Sequence, residues 1–299
     1  MDTETSTKKD KKGIKITKRE VAILSLVLEY RFLTAEQIAT YFEQDWYAQS
    51  YLNSILISLT RSGYLTRPEN APNTRFYMLG EEGVRTMETE HGLDLSKWTD
   101  KSDRLSAWSF RPHEVGIRDY MISLEVKHKR GELILTRQSQ IARNLTLDIK
   151  PAQLKWKTQV HWKGEVGDVT VLPDWVYGVA DPKGGETKFE ALELDMATET
   201  VNRVSFSDNK SVLKTILAYA HSFESGEAED TLDLPNLRTR FITTGKKRKE
   251  NMQSGYQEYA EILARPNRFL FSLTEDMTPD KVLTGVENGA GRAVSVLPS

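Results

Sequence analysis

The chain has 299 residues, of which 38% are hydrophobic and 28% charged, and its formal net charge is -2. This length is enough for two domains with sizeable cores, and the composition is that of a globular protein. The absence of cysteine excludes disulfides, thiolate metal sites and a thiol nucleophile. The apolar run 21–28 is too short to span a bilayer. These features fit a protein of the reducing cytoplasm with no membrane association.

The first residues carry a concentration of positive charge. The first nineteen hold six Lys and one Arg against three acidic residues, and they contain few apolar side chains. Segments of this composition cannot bury enough apolar surface to fold, so residues 1–15 predict a disordered basic tail. The tail can serve as an arm that contacts phosphates or only as a solubilising leader, and both interpretations stay open.

Residues 16–92 predict a winged helix. Capping boxes at Thr17-x-x-Glu20 and Thr34-x-x-Gln37 open the first two helices, over about 17–30 and from 34. A third helix runs to about residue 62, and Gly63 ends it. Strands at 64–67 and 75–79 then flank a loop rich in Pro and Asn, and a further helix is predicted at 80–91. Three helices followed by a hairpin are typical of a winged helix.

In such a module the second helix of the helix-turn-helix pair enters the major groove of double-stranded DNA. Its short polar side chains can reach base edges or phosphates, and arginines on the hairpin can reach the backbone. The alternative is a winged helix used for homodimerisation or protein contact. The predicted DNA-binding residues are Gln49, Ser50, Asn53, Ser54, Arg61, Arg67 and Arg75.

The rest of the chain predicts a linker at 93–110, an α/β (α+β) domain at 111–275 and a flexible tail at 276–299. The domain is expected to have a mixed central sheet flanked by helices. Its predicted helices are 113–129, 209–223 and 256–264, and its predicted strands include 132–136, 156–162, 239–244 and 269–273. The acidic segment 224–233 predicts a loop. The basic run 246–249 predicts either a contact with DNA backbone or a solvated loop.

A turn-rich stretch, 181–185, predicts a hairpin between the apolar runs 169–172 and 189–194. Such a hairpin brings Asp174, Glu193 and Asp195 towards one another. Clustered carboxylates repel unless a cation lies between them, and oxygen ligands suit Mg²⁺ or Mn²⁺. The alternative is that these are ordinary acids at strand ends.

Several short motifs are spread along the chain: Leu33-Thr34-Ala35-Glu36-Gln37, Gly63-Tyr64-Leu65, Phe76-Tyr77-Met78-Leu79-Gly80, Gly83, the His113 helix, Leu172-Pro173-Asp174, Leu192-Glu193-Leu194-Asp195, Thr198-Glu199, Lys214 and Tyr219. Together they resemble the replication-relaxation family of bacterial plasmid and mobile-element proteins. The resemblance implies a DNA-binding protein that acts in replication, mobilisation or relaxation, or in their transcriptional control, with relaxosome or replication proteins among its expected partners. It implies no particular reaction.

The C-terminal half also resembles the PD-(D/E)xK nuclease fold. This resemblance implies that Glu114 is the helix acid and that Asp174 and Glu193 are the metal ligands. Asp195 stands where that fold has its catalytic Lys, so the role of the Lys would move to Lys210 or Lys214 or be absent. His113 is interpreted as a capping or packing residue.

Two hypotheses follow. The missing Lys favours a nuclease-like domain without activity, which would serve a DNA-binding regulator or relaxosome accessory. The retained acids favour a metal-dependent DNA endonuclease or nickase, in which Mg²⁺ or Mn²⁺ on Asp174 and Glu193 activates water and Lys214 supports the transition-state charge.

Overall fold

The computed structural model describes residues 16–42, 49–67, 76–92, 95, 112–145, 154–197, 200–201, 211–258 and 266–297. They fall into two compact units, one before Pro112 and one from Pro112 onward. The predictions for the tail 1–15, for most of the linker 93–110, and for Arg75 and Lys210 lie outside these residues. Among the helices of the described part, none is both long and apolar enough to cross a membrane.

The N-terminal unit combines helices with a small antiparallel sheet of strand order β1-β3-β2. The short link between the first two helices contributes to this sheet, because Leu33 and Thr34 pair with Tyr77 and Phe76. The elements are α1 (Lys18–Tyr30), β1 (Leu33–Thr34), α2 (Ala35–Tyr41), α3 (Gln49–Arg61), β2 (Leu65–Thr66), β3 (Phe76–Leu79) and α4 (Glu81–His91).

Local capping fixes where the first two helices begin, as predicted. The backbone N–H of Thr17 donates to Glu20 Oε2 at 2.7 Å. The backbone N–H of Thr34 donates to Gln37 Oε1 at 2.9 Å, and the N–H of Gln37 donates back to Thr34 Oγ1 at 3.1 Å. These bonds satisfy N–H groups that have no partner inside a helix. Gly63 follows α3 with φ +79°, a conformation that glycine adopts at little cost.

The C-terminal unit is built on a mixed six-stranded sheet of order β11-β10-β9-β8-β7-β4, with β5 and β6 forming a separate two-stranded sheet. Strands β4, β7 and β8 are antiparallel neighbours, whereas β8, β9 and β10 run parallel. The predicted mixed sheet is therefore present. The elements are α5 (Pro112–Lys129), β4 (Ile134–Thr136), α6 (Gln138–Asn144), β5 (Trp156–Trp162), β6 (Glu165–Val171), β7 (Trp175–Ala180), β8 (Lys188–Asp195), α7 (Val212–Ser225), α8 (Glu227–Leu232), β9 (Arg238–Thr243), α9 (Lys246–Glu258), β10 (Phe269–Leu273) and β11 (Glu287–Asn288).

Helices cover both faces of the large sheet. Helix α5 lies on one face, where Gly116 lets the helix come close to Leu194 of β8. Helix α7 lies on the other face, where the Tyr219 ring meets Phe241 of β9 edge-on at 6.2 Å. Since side chains alternate along a strand, Leu194 faces α5 while Glu193 and Asp195 face α7.

The predicted hairpin has the expected turn, but its first strand is different. The run 169–172 was expected to pair with 189–194; instead Val169 and Val171 pair with Thr158 and Trp156 of β5. The strand that pairs with β8 is β7, which starts after Pro173. Proline has no N–H for a ladder and separates the two strands.

Three further predictions were wrong, and in each the reason is packing. The acidic segment 224–233 contains α8, which buries Ala228 and Leu232. The basic run 246–249 is a first helical turn rather than a loop, because α9 begins at Lys246. The helix predicted at 256–264 agrees with α9 over 256–258, and residues 259–264 lie outside the described residues. The segment predicted as a tail, 276–299, pairs through β11 with β10 and buries Val282, Val286 and Val296 to 2% exposure. The short helix α6 was not predicted.

Candidate functional site

The predicted acids lie at one edge of the six-stranded sheet. Strand β8 ends at Asp195, and the parallel strand β9 ends beside it at Thr243. Strand β7 runs the opposite way and begins just after Asp174, whose backbone N–H donates to Leu192 O at 3.0 Å. This extra bond continues the β7–β8 ladder, so Asp174 and Glu193 stand on adjoining strands at the same edge.

Asp174 is held by a histidine from the start of α5. Its Oδ2 lies 3.0 Å from His113 Nε2 and also accepts the backbone N–H of Leu194 at 2.8 Å. Hydrogen bonding to Asp174, and secondly to Glu114, raises the pKa of His113 to about 10 against the opposing effect of burial. His113 is therefore a cation at neutral pH, and it lies between two carboxylates.

Glu114 has cations on both sides. Its Oε1 lies 3.6 Å from His113 Nδ1, and its Oε2 accepts Arg118 Nη1 at 2.9 Å. Burial by itself raises the pKa of Glu114, but the hydrogen bond with His113 and the charge of Arg118 outweigh burial and lower it. The predicted helix acid is thus ionised and neutralised by its neighbours.

Glu193 accepts a hydrogen bond from a tyrosine of α7. Tyr219 Oη donates to Glu193 Oε1 at 2.7 Å, and the tyrosine is fully buried. Burial first, and then the charge of Glu193, raise the pKa of Tyr219 well above its usual value, and Asp174 adds to this effect. Tyr219 is therefore a neutral donor, and both acids act on it electrostatically.

Asp195, which stands at the position of the expected Lys, binds an arginine. Arg248 of α9 donates to both of its oxygens, through Nη2 at 2.8 Å to Oδ1 and through Nε to Oδ2. Thr243 Oγ1 donates to Oδ2 as well, at 2.7 Å. A bidentate ion pair between an arginine and a carboxylate is among the stronger ion pairs in proteins.

Lys214, the predicted substitute for the missing Lys, lies in the first turn of α7 and is half-buried. Its backbone N–H is capped by Ser211 Oγ at 3.2 Å. Three cations contact acids of this site: His113 contacts Asp174 and Glu114, Arg118 contacts Glu114, and Arg248 contacts Asp195.

One oxygen of each predicted metal ligand already takes part in hydrogen bonds. Asp174 Oδ2 lies 3.0 Å from His113 Nε2 and accepts from Leu194, and Glu193 Oε1 accepts from Tyr219, so a metal ion at these oxygens would compete with these donors. In the part of the chain that the structure describes, no three or more His, Asp or Glu side chains are grouped so as to hold a metal ion.

Some of the predicted DNA-binding residues of α3 are exposed to solvent. Ser50, Ser54 and Arg61 are exposed, whereas Asn53 is half-buried; Gln49 begins the helix, and its side chain lies outside the described atoms. Arg67, just after β2, is exposed but fixed. Its Nη2 donates to Tyr77 Oη at 2.7 Å, and its guanidinium carbon lies 4.9 Å from the centre of the Tyr77 ring.

A family model described as replication-relaxation matches residues 24–232, which is more than half of the chain. The chain belongs to the replication-relaxation family. Membership suggests a part in the replication or relaxation of plasmids or mobile elements. No significant match was found among curated proteins or solved structures.

The matched region of this replication-relaxation protein contains all four acids but ends before α9 and Arg248. Sequence reasoning missed Arg248 as the partner of Asp195, and it interpreted His113 as a capping or packing residue. The adjacency of His113 and Glu114 was the one local signal. No local sequence pattern around Asp195 indicates that its partner is an arginine 53 positions later in the chain.

Proposed function

We propose that this replication-relaxation protein binds double-stranded DNA through a winged helix in its N-terminal unit. Its C-terminal unit is a nuclease-like scaffold that does not cleave DNA. The protein acts in the cytoplasm on a plasmid or other mobile element, in replication, mobilisation or relaxation, or in their transcriptional control. Homodimerisation on DNA and contacts with relaxosome or replication proteins belong to the same proposal.

The exposed face of α3 carries the DNA-binding proposal. The helix has no Asp or Glu along its whole length, and Arg61 stands exposed in its last turn. Duplex DNA presents a dense row of negative phosphates, so an acid-free helix face can approach without repulsion. The hydroxyls of Ser50 and Ser54 and the guanidinium of Arg61 are groups that contact phosphates and base edges.

The small sheet supplies a second support for the winged-helix interpretation. Strands β2 and β3 flank a chain segment in the position of a wing, and Arg67 stands where β2 leads into it. Since Tyr77 already holds the Arg67 guanidinium, less side-chain freedom is lost when Arg67 meets a phosphate. Arg75, at the other end of that segment in the sequence, is proposed to act with it.

Replacement of Arg61 by alanine is expected to weaken DNA binding. A lost phosphate contact lowers affinity similarly for all sequences and reduces the slope of log affinity against log salt by about 1. Fluorescence anisotropy with a labelled duplex across a salt series measures both quantities. The matched control is Arg85→Ala, which removes an exposed arginine of α4 paired with Glu82. Equal affinity and equal slope in Arg61→Ala and in the unaltered protein would contradict the proposed role of α3.

The C-terminal proposal rests on the way the acids are neutralised. Asp174, Glu114 and Asp195 each contact a cationic side chain of the protein, and Glu193 accepts from a neutral tyrosine. A nuclease of the predicted kind needs carboxylates available to a metal and a Lys beside the attacking water. Here the charged His113 neutralises Asp174 and Glu114, and Asp195, at the position of the expected Lys, is neutralised by Arg248.

The alternative function is a metal-dependent endonuclease or nickase. It is favoured by one observation: Asp174 and Glu193 share a sheet edge with the first turn of α9, where Lys246 and Lys247 are exposed. Those two ammonium groups could contact a DNA backbone near the acids.

Supercoiled plasmid is expected to stay intact when incubated with the purified protein and Mg²⁺ or Mn²⁺, because the acids are already neutralised. Gel electrophoresis over a metal series measures nicking directly. Nicking that Asp174→Ala abolishes, and that the exposed-acid control Asp168→Ala retains, would establish the alternative. That outcome would leave the DNA-binding proposal standing.

A further inference from the structure

An exposed isoleucine lies in the middle of the acid-free face of α3. Ile57 is 37% exposed, one helical turn after Ser54 and one turn before Arg61. At about 100° per residue, Ser50, Ser54, Ile57 and Arg61 fall within an arc of roughly 60° and form one stripe along the helix. Tyr51, which is 51% exposed, lies at the flank of this stripe.

The surroundings of Ile57 favour DNA as the molecule that covers it. The stripe carries the positive charge of Arg61 and no negative charge, which complements a phosphate backbone on either side of a groove. Ser54 Oγ donates to Ser50 O at 3.0 Å, so its proton is used within the helix and its lone pairs face outward. Contact between this apolar side chain and an apolar group of similar size would be favourable, because it removes apolar surface from water.

The major groove offers one such contact. Thymine is the base that presents a methyl group there, and apolar side chains are known to pack against it. Isoleucine is β-branched and has one strongly preferred rotamer in a helix, so little freedom is lost when it makes this contact.

We propose that Ile57 contacts a thymine 5-methyl group and thereby selects an A·T base pair in the DNA site. This inference rests on the proposed function of α3 in DNA binding. It assigns Ile57 as a specificity-determining residue, beside the polar residues that position the helix.

The test compares thymine with uracil, which lacks the 5-methyl group but pairs in the same way. A duplex recovered from a random pool by the unaltered protein is resynthesised with each thymine replaced in turn by uracil. At one thymine, or at two related by symmetry, the replacement is expected to weaken binding about fourfold, as for one lost apolar carbon. With Ile57→Ala, the same replacement is expected to have no effect.

Ile134→Ala is the matched control, because Ile134 is an exposed isoleucine of the C-terminal unit, at 46% against 37% for Ile57. It should keep the discrimination, and circular dichroism should show all variants folded. If the unaltered protein binds thymine and uracil duplexes equally at every position, or if Ile57→Ala keeps the difference, the inference is overturned while DNA binding stands. No binding to any duplex would overturn the proposed function itself. A change of oligomeric state in Ile57→Ala, with DNA affinity unchanged, would assign Ile57 to a protein interface instead.

Discussion

Replacement of Glu190 by alanine is expected to destabilise the C-terminal unit by about 3–5 kcal/mol, the usual cost of leaving a buried charge without its partner. Glu190 is fully buried in β8 and pairs with Arg240 at 2.6 Å and with Arg238, both from β9. It also accepts from Tyr177 Oη, which is hydrogen-bonded to Tyr120 of α5 at 2.7 Å. Without Glu190, two buried guanidinium groups would face each other.

Urea unfolding followed by circular dichroism measures this loss. The matched control is Glu186→Ala, at an exposed position before β8, which should change stability by no more than about 0.5 kcal/mol. A loss below about 1 kcal/mol in Glu190→Ala would show that the network does not stabilise the unit in the way its geometry indicates.

The stability that Glu190 contributes through Arg238 and Arg240 is expected to depend on pH. Burial alone would raise the pKa of Glu190, but the charges of Arg240 and Arg238 outweigh burial and lower it to about 2. A group with a lower pKa in the folded state stabilises above its unfolded pKa, here 4.5, and loses this contribution as the pH falls. The stability difference between the unaltered protein and Glu190→Ala should therefore be constant above pH 4.5 and shrink between 4.5 and 2.

Replacement of Gly83 by alanine is expected to destabilise the N-terminal unit by about 2 kcal/mol or more. A Cβ at this position in α4 would lie 2.1 Å from the backbone oxygen of Tyr64, so the helix or the turn after α3 must move. The gain in helix propensity from Gly to Ala is only about 1 kcal/mol and does not compensate for the clash. The neighbouring Gly80 is equally constrained, with its Cβ position 2.2 Å from the oxygen of Gly63.

Thermal unfolding of Gly83→Ala and of a control, Gly245→Ala, tests this. A Cβ on Gly245 would meet nothing within 4 Å, so the control should be close to neutral. If Gly83→Ala were as stable as the unaltered protein, the close approach of α4 to the turn after α3 would not be needed for folding. The close backbone contacts at Gly80 and Gly83 leave no room for a Cβ, which is the physical reason for glycine at these two positions among the residues that carry the family resemblance.

The two units are proposed to have different functions. The N-terminal unit presents a face that is free of acids and suited to duplex DNA. At the sheet edge of the C-terminal unit, a histidine and two arginines neutralise Asp174, Glu114 and Asp195. Under the proposed function, the C-terminal unit is a nuclease-like scaffold whose neutralised acids do not cut, and it positions DNA or other proteins.

The sequence by itself determined the local elements. Capping residues at Thr17 and Thr34 set the starts of α1 and α2, and the helix predicted at 113–129 matches α5. The strand predicted at 156–162 matches β5, along which buried and exposed residues alternate. These features depend on residues within a few positions of one another, so their physical cause is contained in the local sequence.

The tertiary structure alone decided which strands pair and which charges meet. The run 169–172 looked like a partner for β8, yet Val169 and Val171 pair with β5, because Lys163 and Gly164 form a tight turn with φ values of +46° and +84°. Arg248 reaches Asp195 across 53 positions because parallel strands β8 and β9 bring the start of α9 beside the end of β8. The charge state of the sheet edge depends on such long-range packing, and no pattern of neighbouring residues specifies it.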